Sequence, residues 1–109
     1  KRSADPENNN QKDSKQFMIE SPITIKNRTG LHARAAAKLV ETISSFSSTV
    51  EISNGAKTVD GKSILSVMLL AASPGTELML IINGNDETEV LQAIKALVEN
   101  NFGEDAHVE

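Results

Sequence analysis

Gly30-Leu31-His32-Ala33-Arg34-Ala35-Ala36-Ala37-Lys38-Leu39-Val40-Glu41-Thr42-Ile43-Ser44-Ser45-Phe46 holds a turn, the start of a helix and the helix itself. Ala36, Leu39, Val40, Ile43 and Phe46 recur at helical spacing. That spacing predicts a helix over residues 33–46 with one apolar face. Gly30 lets the backbone turn tightly ahead of it. Upstream, Ile19, Ile23 and Ile25 alternate as in a strand, with an irregularity expected at Pro22. A strand therefore enters the turn and an amphipathic helix leaves it.

The same alternation of elements continues downstream. Residues 49–53 read as a strand with Val50 and Ile52 on one face, and Asn54-Gly55 is a hairpin signal. Residues 57–60 supply the partner strand. Ser63 is a cap for a short helix running to about residue 70, and Ser73-Pro74-Gly75 breaks it. Residues 77–82 read as a buried strand. Asp86, with Glu89 three residues on, resembles a capping box. Val90, Leu91, Ile94, Leu97 and Val98 form the strongest helical stripe, which ends over residues 100–103. The order βαββαβα places the chain in the α+β class, with a four-stranded antiparallel sheet and three helices on one face. Residues 17–103 form this domain. Residues 1–16 are polar, without apolar periodicity, and are expected to be a disordered leader; residues 104–109 are an acidic tail.

Composition narrows the function. A chain of 109 residues makes one domain with a modest core. The absence of cysteine excludes disulfides and thiolate metal sites, and fits a reducing compartment such as the cytoplasm. No apolar run is long enough to span a membrane and no signal peptide is visible. The net charge of −4 argues against general nucleic-acid binding, and three Phe without Tyr or Trp offer little for base stacking. The distribution matters more than the total. Lys26, Arg28, Arg34 and Lys38 cluster around His32 in sequence, whereas acids gather late in the chain. A positive site on an acidic body attracts an anionic donor.

His32 sits immediately before the helix, where backbone N–H groups and the helix dipole favour an anion. Arg34 adds a planar donor fork suited to phosphate. A nucleophilic nitrogen beside a phosphate cradle is what reversible histidine phosphorylation needs. Attack on phosphorus requires a neutral imidazole with an available lone pair. Arg34 is thus read as a phosphate clamp, weighed against a surface pairing with Glu104 or Asp105. Lys38, one turn on, can reinforce the field, although a solvated lysine is the stronger reading of that position. The short helix is apolar nearly all round: Val67, Leu70 and Ala71 are expected to serve the core, leaving Ile64, Leu65 and Met68 partly exposed as a docking patch.

Gly30-Leu31-His32-Ala33-Arg34, with Lys62-Ser63-Ile64, resembles the histidine-containing phosphocarrier (HPr) family of the bacterial phosphotransferase system over residues 17–102. The resemblance implies a two-layer open-faced sandwich. It implies that His32 takes a phosphoryl group on Nδ1 from the phosphoenolpyruvate-dependent enzyme I and passes it to an EIIA-type domain. It makes the protein a carrier rather than an enzyme, a monomer that needs no cofactor, nucleic acid or membrane insertion. It also marks Ser63 as a regulatory phosphorylation site for an HPr kinase/phosphorylase. One position departs: the family usually has proline where this chain has Ala35, which adds an N–H. The alternative within the same family is a regulatory protein of the nitrogen-branch or catabolite-control type, which signals by binding rather than carrying flux. A small-molecule-binding module of a larger enzyme is a further alternative, but leaves the histidine motif unexplained.

Other motifs fail. Gly61-Lys62-Ser63 resembles the end of a P-loop, but the earlier glycine would fall at Ala56. His107 and His32, without cysteines, make a weak metal site. Asn27-Arg28-Thr29 matches a glycosylation sequon in a chain without secretory signals.

Overall fold

The computed structural model describes residues 18–103. The expected leader, the acidic tail, His107 and the possible Arg34 partners Glu104 and Asp105 lie outside the described residues. Strands β1 (Met18–Thr24), β2 (Thr49–Ser53), β3 (Thr58–Asp60) and β4 (Glu77–Asn83) form one antiparallel sheet in the order β1-β4-β2-β3. Helices α1 (Ala33–Ser44), α2 (Ile64–Met68) and α3 (Glu87–Glu99) complete the α+β sandwich, and a 3-10 turn (Asn101–Gly103) follows.

Strand alternation explains the two faces. Ile23 pairs with Leu78, Leu80 lies between Ser21 and Ile52, and Ile82 lies between Ile19 and Val50. These rows face the helices and meet Leu39, Ile43, Val67, Val90, Ile94 and Phe102 in the core. The opposite face carries a row running Glu20, Ile81, Glu51, Asp60 across all four strands. β1 runs unbroken through Pro22, where the sequence suggested an irregularity. As an edge strand it tolerates a residue with no N–H. The turn between β2 and β3 is held by Asn54, whose Oδ1 accepts from the N–H groups of Ala56 and Lys57 at 2.9 and 2.8 Å.

Four local expectations are corrected. The capping box at Asp86 does not form, because its carboxylate is captured from outside the helix. It accepts from the N–H groups of Ser47 and Ser48, each at 2.9 Å, and from both their hydroxyls. Glu87, not Glu89, takes the N–H of Gly84, at 3.2 Å. That capture ties residues 47–48 to the start of α3, and α1 stops at Ser44, two residues short of Phe46. α2 likewise stops at Met68 rather than near residue 70. Ala71 then takes φ +48° and is exposed, and Ala72 is buried in its place.

The bonds at Asp86 lower its carboxyl from the ordinary 3.8 to about 2, the Ser48 hydroxyl contributing most. A depressed value in the folded state means the ionised carboxylate stabilises fully above the ordinary value and is lost as pH falls through about 2. Asp86→Asn should therefore melt below the wild type at neutral pH. The gap between the two melting curves should close as pH drops from about 4 to about 2. A gap independent of pH would rule out the carboxylate as its source.

Candidate functional site

The turn before α1 is built from Asn27 and Gly30. Asn27 is buried; its Nδ2 donates to the Gly30 carbonyl at 2.7 Å, and its own carbonyl accepts from the Gly30 N–H at 3.2 Å. Gly30 takes φ +72°, and a Cβ there would stand 2.6 Å from the Ala72 carbonyl oxygen. The same oxygen accepts from the buried Leu31 N–H at 2.8 Å. The loop after α2 thus pins the residue next to His32.

His32 is the N-cap of α1, with extended backbone at φ −81°, ψ −175°. Its carbonyl accepts the first helical bond, from the Ala36 N–H at 2.8 Å. Its Nδ1 accepts from the Arg34 N–H at 3.2 Å. An imidazole nitrogen that accepts carries a lone pair, so the neutral ring holds its proton on Nε2. The half-buried ring is thereby fixed with Nδ1 toward the positive end of the helix.

The structure brings His32 and Arg34 together on one helical turn. Arg34 is exposed and makes no ion pair among the described residues, which leaves its guanidinium able to swing toward the imidazole. Lys38, also exposed, lies alongside Gly103. Lys26 departs from the expected cluster: its Nζ pairs with Glu99 at 2.8 Å at the end of α3. That pair is exposed on both sides and carries little stability.

α2 packs against α1. Ser63 caps it, its Oγ accepting from the Ser66 N–H at 3.3 Å. Val67 and Leu70 enter the core, while Ile64, Leu65, Met68 and also Leu69 are exposed. Leu65 is 76% exposed and Leu69 64%, so the patch extends one residue further than the sequence suggested. Lys62 donates from Nζ to the Phe46 carbonyl at 3.0 Å, a structural use for the lysine of the failed P-loop match. Asn27 escaped the sequence reading as a site residue. The signal was an Asn three positions before a Gly, the pattern of a side chain closing its own turn.

Residues 19–100 match the family model described as the PTS HPr component phosphorylation site. The chain belongs to the HPr family. It is 50% identical over 88 residues to the phosphocarrier protein HPr of Xylella fastidiosa (strain Temecula1), covering 81% of this chain and 99% of that one. It is 46% identical over 87 residues to the phosphocarrier protein HPr of Cupriavidus necator, covering 80% and 98%. A crystal structure of HPr-C-His from Thermoanaerobacter tengcongensis matches with a TM-score of 0.76 at 45% identity, covering 80% of this chain and 98% of that one. The protein is accordingly a phosphocarrier of the phosphotransferase system, a protein that carries a phosphoryl group between PTS enzymes rather than a catalyst. Within residues 18–103 the HPr fold holds one histidine, His32. Among the described residues no helix is long and apolar enough to cross a membrane.

Proposed function

We propose that Nδ1 of His32 accepts the phosphoryl group from enzyme I and passes it to an EIIA-type domain. The observation that carries this reading is the Nδ1 lone pair held against the Arg34 N–H at the start of α1. As the donor approaches, the imidazole turns this lone pair onto phosphorus. The new bond forms from Nδ1 to phosphorus while the donor's bond to phosphorus breaks, and its electron pair leaves with the donor. The transition state is loose, so positioning and charge stabilisation do most of the work. The phosphoryl oxygens then take the place of Nδ1 as acceptors for the helix N–H groups, and Arg34 closes over them. Delivery to EIIA runs the same steps in reverse.

A carrier has to bind several partners in turn and release each quickly, which suits a small patch better than a deep pocket. Ile64, Leu65 and Met68, exposed beside the helix that bears His32, are read as that patch, and Lys38, exposed on α1 itself, as a further partner contact. Ser63 is read as its switch. A phosphate on the α2 N-cap is tolerated by the helix start and places negative charge beside Ile64 and Leu65, where it repels an acidic partner. An HPr kinase/phosphorylase is the enzyme this reading requires. The chain works as a monomer in the cytoplasm on this account.

Incubation with phosphoenolpyruvate and catalytic enzyme I should add one acid-labile phosphate per chain, and an EIIA domain should remove it. Phosphate that enters but never moves onward would replace the flux role with a regulatory one. No phosphate at all would overturn the proposal.

A further inference from the structure

The first turn of α1 distributes its N–H groups unevenly. The Ala36 N–H donates to the His32 carbonyl and the Arg34 N–H to His32 Nδ1. Ala33 is an exposed residue. Ala35 is different. It is 1% exposed, and its N–H meets no acceptor among the described residues. Buried N–H groups without an acceptor are rare in folded proteins and each calls for a reason. Amides of a first helical turn point out of its N-terminal end, and the one just before Ala35 is bonded to Nδ1. The unbonded N–H therefore opens beside the nitrogen on which the phosphoryl group is read to sit.

We infer that the Ala35 main-chain N–H is a binding donor for the phosphoryl group on His32. This rests on the phosphocarrier reading of His32 and adds to it a donor from this chain's own sequence. The phosphorylated state supplies the missing acceptor: one phosphoryl oxygen bonds the Arg34 N–H and another the Ala35 N–H. A bond absent before transfer and charge-assisted after it favours the phosphorylated state over the unphosphorylated one. Ala35 thereby sets how strongly this carrier holds its phosphoryl group against its donor.

Proline is the substitution that isolates the effect. It removes the N–H, presets φ for a first helical turn, and breaks no backbone bond, because the Ala35 N–H makes none. Ala35→Gly keeps the N–H and serves as the companion variant. The experiment is a nitrogen–proton amide spectrum of the wild type before and after phosphorylation by phosphoenolpyruvate and enzyme I. It is joined to the equilibrium share of phosphate between enzyme I and each variant. The Ala35 amide proton should move downfield with that of Arg34. Ala35→Pro should shift the phosphate toward enzyme I by about tenfold, while Ala35→Gly stays with the wild type. An unmoved Ala35 amide in a protein phosphorylated on His32 would overturn the inference alone, as would an Ala35→Pro variant that shares phosphate like the wild type. Failure of His32 to take phosphate would overturn the carrier reading beneath it.

Discussion

His32→Ala is expected to fold and to take up no phosphate. His32 is half-buried, and its Nδ1 caps the helix start by accepting from the Arg34 N–H at 3.2 Å. Removing such a cap costs about 1 kcal/mol. For a domain of this size that lowers Tm by roughly 4–8 °C, well short of unfolding it. Phosphate uptake has no such reserve. His32 is the single histidine of residues 18–103, and a guanidinium such as that of Arg34 can hold a phosphate but does not accept it covalently. Intact mass after incubation with phosphoenolpyruvate and enzyme I, with a thermal melt on the same sample, checks both halves. Undiminished uptake by a folded variant would remove His32 from the mechanism.

Gly30→Ala is expected to be the most damaging single-methyl change near the site. Gly30 holds φ +72°, which costs a residue with a side chain about 1–2 kcal/mol. Its new Cβ would stand 2.6 Å from the Ala72 oxygen, and that oxygen is main chain, already holding the Leu31 N–H. Relief requires the loop after α2 to move, which brings the total to about 3 kcal/mol. The melting temperature should fall by more than about 10 °C. Uptake in the surviving folded protein should slow as well, because a displaced Leu31 shifts His32 away from its approach to phosphorus. Gly55→Ala separates the two causes. Gly55 has φ +95° but nothing within 4 Å of a new Cβ, so it should show the backbone strain without the clash and without loss of uptake. Equal melting losses at the two glycines would refute the role given to Ala72.

Much of this architecture was legible in the sequence because its signals are local. The 36-39-40-43 stripe, the Asn54-Gly55 turn, the Ser63 cap and the stripe from Val90 to Val98 each lie within one element. His32 and Arg34 could be joined for the same reason: the helix start that brings them together is read from neighbours. Long-range capture was not legible. Asp86 has the residue type and spacing of a helix cap, yet its carboxylate is claimed by Ser47 and Ser48 from the loop after α1, some forty positions earlier. The placement of β4 between β1 and β2 is equally non-local. So is the Ala72 carbonyl under Gly30, which decides why the turn needs a glycine. Ala71 lies outside the core although the sequence placed it there, because the unbroken apolar run over residues 67–72 hides the point where the helix ends.

The most direct test of the central claim is a phosphorus and nitrogen spectrum of the phosphorylated, nitrogen-15-labelled protein. Phosphorus coupled to Nδ1 of His32 is the expected result. Phosphorus on Nε2, or on any residue other than His32, would contradict the assignment of Nδ1 as the nucleophile.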